Sequence, residues 1–433
     1  MANRGLCPEH RERKIRDSAS RFLLSVSQHG IVHVLLLIFV IVCVFDPADK
    51  ILGAKTPVFV ALWIATLLRM LLVDGRFHFP VVPTVYVATF VAIPVLSIIP
   101  TFLAGGNLPP EGFALLKGYL LISFALVLIV HRVDLVPQLS AVLTVLACFA
   151  VGIFVGIHFN YSWVYNTLQP LSYDFGLLYL GKRSFGSYEL LQIYFVTSPM
   201  LVIAVAYYFD RAMSETDSTR KLLFFAVTSI NIVGMFLGGT RSNILISLLT
   251  PPLLWLFYTR RRSASALCGV AVTAILGLLF AGYLKAFFDF SEAGNNIRLT
   301  TMQDYVRIFS DPATLLFGQG LGTYYNWSAR GPFYISELTY MEIIRNFGLF
   351  GGLLMLGLIS LPLAHAVFMP TSRRDKVLAL AYFLYLVMSA SNPMLFSSTG
   401  VLILAILVAN IFTRQNRETV NPENIVLTGA RPS

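Results

Sequence analysis

The stretch VVPTVYVATFVAIPVLSIIPTFL, residues 81 to 103, decides the fold class, because it contains no charged residue. An α-helix rises about 1.5 Å per residue and the hydrocarbon core of a bilayer is about 30 Å thick, so a run of this length can cross it. Of the 433 residues, 56% are hydrophobic and only 12% are charged, about half the charged fraction of a soluble domain. The chain is therefore predicted to be an integral membrane protein rather than a soluble domain with a membrane tail.

Similar apolar runs recur along the chain and predict about twelve transmembrane helices. They lie near residues 28 to 45, 57 to 73, 81 to 103, 113 to 130, 138 to 158, 189 to 209, 222 to 238, 242 to 258, 266 to 287, 338 to 368, 377 to 392 and 397 to 413. No small-residue cleavage site follows the first run, which is therefore predicted to be an uncleaved helix. The predicted fold is all-α, a polytopic transmembrane helix bundle of residues 28 to 413 between a basic tail, 1 to 27, and a polar tail, 414 to 433.

The basic residues between the spans predict the orientation. Threading alternate loops to opposite sides places every cationic short loop on one face, which is the cytoplasm by the positive-inside rule. These loops contain the N-terminal tail, Arg76, Arg132, Arg211, Arg220, Lys221, Arg260, Arg261, Arg262, Arg373, Arg374, Lys376, Arg414 and Arg417. Both termini are then cytoplasmic, and two long connections, 159 to 188 and 289 to 337, face the periplasm. Long loops are often functional, so the active site is predicted there.

The remaining composition excludes several kinds of protein. The net charge of +10 lies in short loops rather than on one soluble face, so no nucleic-acid partner is predicted. The four cysteines lack the paired spacing of a metal site or a disulfide framework. The chain contains no His-Glu-x-x-His or Asp-x-Asp motif, and the second long loop contains no histidine. We therefore predict an activity that needs neither a metal ion nor a cofactor.

The first candidate site is the tight turn LGGTRSN, residues 237 to 243, between the seventh and eighth spans. Thr240 or Ser242 can cap the following helix, whose free N–H groups and positive dipole end favour an anion. Arg241 adds a guanidinium whose fork geometry fits phosphate. The turn therefore predicts a diphosphate site; the alternative is an arginine that snorkels or has a structural partner.

The second long loop contains two more candidates, Arg298 and the run LFGQGLG, residues 316 to 322. No predicted strand of a βαβ unit precedes Gly318, Gly320 and Gly322, so a dinucleotide site is disfavoured. Glycines of this kind more often allow a tight turn or the close approach of backbone to a ligand.

The segment SELTYMEIIRNFGLFG, residues 336 to 351, leads into the next apolar run. Glu337 is predicted at a helix N-terminus facing outward and is the strongest catalytic candidate, although the helix dipole alone also favours an acidic residue there. Glu342 and Arg345 are three residues apart and share one helix face, so they can form a structural ion pair.

In order and placement, these residues resemble the bacterial O-antigen polymerases and ligases, membrane glycosyltransferases that act on undecaprenyl-diphosphate-linked glycans. The resemblance is clearest over residues 180 to 352. Arg241 followed by Ser242 matches the family's arginine and small residue at a tight outer turn, and Arg298 matches its arginine early in a large periplasmic loop. Gly318, Gly320 and Gly322 match its glycine-rich stretch.

Two further matches extend the resemblance. Arg183, in KRSFG at residues 182 to 186, resembles the family's Arg-x-x-Gly before the middle span. The ligases also have a block that begins with His-Asn and ends in Gly-hydrophobic-hydrophobic-Gly. Counting back from residues 348 to 351, Glu337 stands at the histidine position. The Glu-Leu-Thr-Tyr sequence from Glu337 to Tyr340 is therefore more similar to the polymerases.

The resemblance implies a GT-C-like fold in the inner membrane and a polymerase that joins oligosaccharide repeat units of O-antigen or exopolysaccharide. It implies that Arg241 and Arg298 bind the donor diphosphate and that Glu337 is the general base of an inverting reaction. Lipid-linked glycans would be donor and acceptor, and a chain-length regulator protein is an expected partner. Substrate contacts are expected from Arg183, Gly318, Gly320, Gly322, Tyr340 and Arg345.

Three alternatives stay open at this point. The protein could be a ligase that transfers glycan to lipid A core. It could be a flippase or transporter of lipid-linked glycan, in which the arginines bind phosphate and no bond changes. It could instead use an acid in the first outer loop, Asp46 or Asp49, as in enzymes that resemble the protein mannosyltransferases. The sequence places no second carboxylate firmly for a retaining mechanism, in which Glu342 or Asp304 would be the alternative as nucleophile.

Overall fold

The computed structural model describes residues 30 to 73, 75, 77, 79 to 103, 110 to 185, 188 to 258, 293 to 329 and 331 to 420. Several predicted features lie outside these residues: the basic N-terminal tail, Arg76, the loop with Arg260, Arg261 and Arg262, the span 266 to 287, and the chain after residue 420.

The described residues are mainly helical. The helices are α1 (Gly30–Phe45), α2 (Lys55–Leu72), α3 (Val81–Leu103), α4 (Pro110–Leu120), α5 (Phe124–His131), α6 (Val136–Tyr173), α7 (Leu201–Ser214), α8 (Ser218–Leu237), α9 (Arg241–Tyr258), α10 (Ala293–Phe309), α11 (Pro312–Phe317), α12 (Thr339–Phe368), α13 (Arg373–Ser389) and α14 (Ser398–Val420). Two antiparallel hairpins accompany them, β1 (Leu178–Phe185) with β2 (Tyr188–Phe195) and β3 (Tyr325–Trp327) with β4 (Gly331–Phe333).

Six of the described helices are long and apolar enough to cross a membrane: α2, α3, the α4–α5 unit, α6, α8 and α12. Helix α1 and the part of α14 up to Thr413 are shorter and also apolar. The protein is therefore a polytopic helical membrane protein, as predicted. The count of twelve spans and the GT-C-like arrangement stay predictions.

Helix α5 and the middle of α14 form the centre of the bundle. Every residue of α5 except Val130 is buried, and so are residues 401 to 409 of α14. A helix that is apolar on all sides is typical of a position enclosed by other helices. Outer helices expose large apolar side chains, such as Leu72 of α2 and Val81 of α3, which suits contact with lipid.

The first hairpin corrects two predictions. Residues 188 to 195 form β2, so the predicted span 189 to 209 is wrong over its first third, and α7 begins only at Leu201. The predicted connection 159 to 188 is itself structured, because α6 continues to Tyr173 after a kink at Asn160 and β1 follows. The all-α prediction missed both hairpins. Run length alone does not separate a strand and a helix that follow one another in a continuous apolar segment.

The second long connection is folded as well. Residues 293 to 338 contain α10, α11 and the β3–β4 hairpin. Helix α12 then begins at Thr339 and is broken at Gly348, where φ is 68°. The C-terminal tail predicted from residue 414 is helical as far as Val420.

The loops group at two ends of the bundle. At one end, Arg374 pairs with Asp134 at 2.7 Å, Asn410 donates to Asp134 at 3.3 Å, and Arg373 approaches Asp210 at 3.6 Å. These residues join the end of α5, the end of α7, the start of α13 and α14. The predicted threading puts the corresponding loops on one face.

At the opposite end, the Thr197 hydroxyl donates to the carbonyl oxygen of Val44 at 3.0 Å, and Ser398 donates to that of Pro47 at 2.8 Å. The loop after α1, the turn before α7 and the start of α14 therefore meet there, as the threading predicts. Which end faces the cytoplasm stays a prediction.

Candidate active site

The turn between α8 and α9 is held in place by the first hairpin. Gly239 has a φ of 63°, and a Cβ atom there would lie 2.8 to 3.2 Å from atoms of Gln192 in β2. Gln192 donates from Nε2 to the carbonyl oxygen of Gly238 at 3.0 Å. The Thr240 hydroxyl accepts from the backbone N–H of Asn243 at 3.2 Å, so Thr240 caps α9 as predicted. Glycine is needed here both for its positive φ and for the close approach of β2.

Arg241 begins α9 and is only 3% exposed. Its Nη1 donates to Oδ1 of Asn295 in the first turn of α10. Asn295 and Arg298 are three residues apart in this helix and therefore share one face. The snorkelling alternative for Arg241 is thus wrong, while its contact with Asn295 suits both the predicted diphosphate site and a structural pairing.

Arg298 and Glu337 form the second element of the site. Arg298 Nε lies 3.8 Å from Glu337 Oε2, an ion-pair distance that is longer than a hydrogen bond. The two side chains are 29% and 36% exposed. Both line a narrow crevice with Thr301, Trp327 and Ser336. Two residues that are far apart in sequence are therefore adjacent and accessible from outside the protein.

Tyr194 of β2 lies within the electrostatic reach of Glu337. Burial, and secondly the charge of Glu337, raise the pKa of the Tyr194 phenol. Within the described part of the chain, its hydroxyl has no hydrogen-bond partner. No sequence motif indicated Tyr194, because it belongs to the apolar run that was predicted to span the membrane.

A second set of contacts joins the starts of α9 and α12. Asn392 donates from Nδ2 to the Ser242 hydroxyl at 3.0 Å, and the Thr339 hydroxyl donates to the Asn392 carbonyl oxygen at 2.9 Å. Two helix N-termini, each the positive end of a helix dipole, are thereby held together. With Arg241 and Arg298 close by, this end of the bundle has the electrostatics of an anion site.

Arg345 and Glu342 form a buried ion pair whose hydrogen-bonding groups have partners within the protein. Arg345 is fully buried, and its five N–H donors all contact protein acceptors. Those acceptors are both carboxylate oxygens of Glu342, the side chain of Gln319, and the carbonyl oxygens of Thr323 and Tyr334. No donor is left for a substrate, so the geometry favours the structural ion pair over the predicted substrate contact.

The same carboxylate also binds a neighbour on α10. Tyr305 donates from its hydroxyl to Glu342 Oε2 at 2.7 Å. Burial, followed by the charge of Glu342, raises the pKa of Tyr305. Glu342 thus has little capacity for a further proton donor, which disfavours it as a nucleophile.

The glycine-rich run packs against the break in α12. Gly318, Gly320 and Gly322 have φ values of 80°, 93° and 79°. A Cβ atom on Gly318 would lie 2.5 Å from the backbone nitrogen of Gly348. The N–H of Gly320 donates to the carbonyl oxygen of Asn346 at 3.2 Å. The close approach predicted for these glycines is thus to another stretch of backbone, and their contact with substrate stays a prediction.

Two other predicted substrate residues, Tyr340 and Arg183, belong to α12 and β1. Tyr340 donates from its hydroxyl to the Leu386 carbonyl oxygen at 2.7 Å and so connects α12 to α13. Arg183 lies in β1, opposite Leu190 of β2. Their substrate roles stay predictions.

The carboxylates of two alternative acids, Asp46 and Asp304, already accept hydrogen bonds from other parts of the protein. Asp46 is buried, and its carboxylate accepts from the backbone N–H groups of Lys50, Ile51 and Leu52 at 2.7 to 2.9 Å. Asp304 is also buried and accepts from the N–H and hydroxyl of Ser328 at 2.9 and 2.5 Å. Carboxylates in such environments usually stabilise loops. Glu337 is the carboxylate of these candidates that is best placed to meet a substrate.

One known protein supports the family prediction. The chain is 26% identical over 151 residues to a protein of Shigella flexneri named O-antigen polymerase. The chain resembles O-antigen polymerases. The matched segment covers 35% of this chain and 38% of the Shigella O-antigen polymerase. No protein-family model and no solved structure matches the chain.

Proposed function

We propose that this protein is an inner-membrane glycosyltransferase that polymerises undecaprenyl-diphosphate-linked oligosaccharide repeat units of O-antigen or exopolysaccharide on the periplasmic face. The convergence of Arg241, Arg298 and Glu337, from three separate segments, at one end of the bundle carries the proposal. The partial identity to an O-antigen polymerase supports the same class of substrate.

The positive groups of the site suit the leaving group of this reaction. As the bond between the anomeric carbon and the donor diphosphate breaks, the electron pair stays on the diphosphate oxygen. Fixed cations stabilise that developing charge more than they stabilise the bound substrate, which lowers the barrier. Arg298 offers a guanidinium on a side chain that is 29% exposed, and Arg241 with the N-termini of α9 and α12 extends the positive region behind it.

Glu337 suits the other half of the reaction. The acceptor hydroxyl oxygen forms the new bond to the anomeric carbon, and its proton passes to the Glu337 carboxylate. A positioned general base contributes about 10²- to 10⁴-fold in rate. A single displacement inverts the anomeric centre, and neither the base nor the cationic leaving-group site requires a metal ion.

The test is polymerisation by purified protein in lipid nanodiscs, with a lipid-linked repeat unit as substrate and products sized on a gel. We expect a ladder from wild type and none from Glu337→Gln or Arg241→Ala. Glu189→Gln is the matched control, because Glu189 forms an exposed ion pair with Lys182 at 3.2 Å in the β1–β2 hairpin.

The outcomes separate the alternatives. A ladder that persists in Glu337→Gln would disprove the base assignment. Transfer to lipid A core in place of a ladder would identify a ligase. Movement of the lipid-linked unit across the bilayer with no change in glycan length would identify a flippase.

A further inference from the structure

A cavity of about 160 Å³ lies beside the first turns of α12. Its polar lining includes Ser336, Thr339 and Asn346, and its aromatic lining consists of Tyr119 and Phe396. These two rings stack with centroids 4.9 Å apart. Because liquid water occupies about 30 Å³ per molecule, the space holds about five waters or one group of comparable volume.

Asn346 is the residue that indicates a ligand. It is only 4% exposed, and its Nδ2 donates to Glu342 Oε1 at 3.2 Å. Its Oδ1 is buried and has no hydrogen-bond partner within the described residues. A buried carbonyl oxygen without a donor is costly, so such a group usually accepts from water or from a ligand.

The cavity is next to the proposed catalytic crevice. Ile335 and Ser336 line both spaces, and Glu337 follows directly in the chain. A group in the cavity is therefore one residue away from the proposed general base. Glu342 also lines the cavity, and its carboxylate is held in place by hydrogen bonds from Arg345, Tyr305 and Asn346.

We propose that this space, the Asn346 cavity, binds a hydroxyl-bearing sugar ring of the acceptor glycan. This inference rests on the proposed function and adds to it an acceptor subsite. A sugar hydroxyl can donate to Asn346 Oδ1, and the apolar face of a sugar ring suits the wall made by Tyr119 and Phe396. The cavity then holds the acceptor while a neighbouring hydroxyl reaches Glu337.

The test measures initial rates at a saturating concentration of lipid-linked oligomer as donor while the lipid-linked single repeat unit is varied as acceptor. For Asn346→Leu we expect the acceptor KM to rise about tenfold, the loss of one ligand hydrogen bond, with kcat changed less than about threefold. Asn231→Leu in α8 is the matched control. Asn231 is also fully buried, also has an Oδ1 without a partner among the described residues, and lies away from the site.

A second variant fills the cavity without removing a polar group. Leu115 of α4 lines the apolar side, so Leu115→Trp reduces the space that a sugar would occupy. We expect it to raise the acceptor KM at least as much as Asn346→Leu. An unchanged acceptor KM in both folded variants would overturn the proposal and leave only water in the cavity.

A binding measurement distinguishes this proposal from the proposed function. The free repeat-unit oligosaccharide, without lipid or diphosphate, is titrated into nanodisc-embedded wild type and both variants. Binding that weakens in the variants supports the acceptor subsite even if wild type makes no polymer. Polymer formation by wild type, with oligosaccharide binding equal in all three proteins, would refute the subsite and leave the polymerase intact.

Discussion

The two arginine–glutamate pairs near the start of α12 differ in the distance between the charges, in solvent exposure and in hydrogen bonding. Arg298 and Glu337 are 3.8 Å apart and about one-third exposed. Arg345 and Glu342 are buried in the bundle, and Arg345 has no solvent exposure. Every N–H of Arg345 contacts a protein acceptor. A charge that is fully satisfied by protein stabilises a fold, whereas a charge that is reachable and only loosely paired can exchange its partner for a substrate.

The largest expected effect comes from breaking the buried pair. Arg345→Met leaves the Glu342 carboxylate buried without its counter-charge, which costs about 3–5 kcal/mol of unfolding free energy. We expect a large loss of stability on thermal unfolding in detergent. The double variant Arg345→Met with Glu342→Leu removes both charges and should recover most of it. A single variant as stable as wild type would contradict the structural role of this pair.

The exposed pair should respond in the opposite way. Arg298→Ala removes an ion pair that is worth at most about 1 kcal/mol, so the unfolding temperature should change little. Its polymerisation rate should fall about 10²- to 10³-fold, the usual cost of removing one donor that stabilises a leaving group. Both quantities are measured on one preparation. A rate within twofold of wild type would refute the diphosphate role of Arg298.

Arg241 lies between the two cases, since it is buried but next to the exposed pair. Arg241→Lys keeps the charge and loses the planar fork that contacts Asn295. We expect a decrease of about tenfold in rate, equivalent to about 1.4 kcal/mol. Arg220→Lys at an exposed ion pair is the control. If Arg241→Lys and Arg220→Lys behave alike, the fork geometry of Arg241 is unimportant.

The smallest effect is expected at Asp311, which caps α11. Hydrogen bonds from the hydroxyl and N–H of Thr314 and from the N–H of Ala313 lower the pKa of Asp311. A carboxylate with a lowered pKa contributes stability above its ordinary value, about 3.9, and loses it as the pH falls through the folded-state value. Deuterium exchange in residues 312 to 318 should therefore be faster in Asp311→Ala than in wild type at pH 7, with a smaller difference below pH 4. An equal difference at both pH values would contradict this cap.

Most of the fold could be predicted from the sequence, because membrane helices are recognisable as long runs of high hydropathy. The stretch 81 to 103 was predicted with the bounds that α3 has. The first hairpin was missed because β2 and α7 follow one another within a continuous apolar run. Because this hairpin was not predicted, two residues of β2 near the site were missed as well. Gln192 donates a hydrogen bond to the turn before Arg241, and Tyr194 lies within the electrostatic reach of Glu337.

Some of the candidate site residues could also be predicted from the sequence, because they are charged. Arg241, Arg298 and Glu337 are charges in unusual places, at a tight outer turn, in a long loop and at a helix start, so each was visible in the sequence. Asn295 and Asn392, which connect the starts of α9, α10 and α12, are uncharged and were not visible. Their contacts depend on how distant helices pack.

By itself, the sequence determined that this chain enters a membrane as a bundle of helices and where its unusual charges stand. Hydropathy and span length suffice for that, because lipid penalises any backbone that is not internally hydrogen-bonded. Only the tertiary structure decided which arginine–glutamate pair is saturated and which is accessible, because burial and hydrogen-bond partners come from segments far apart in the chain. The same packing created the Asn346 cavity, for which the order of residues gives no sign.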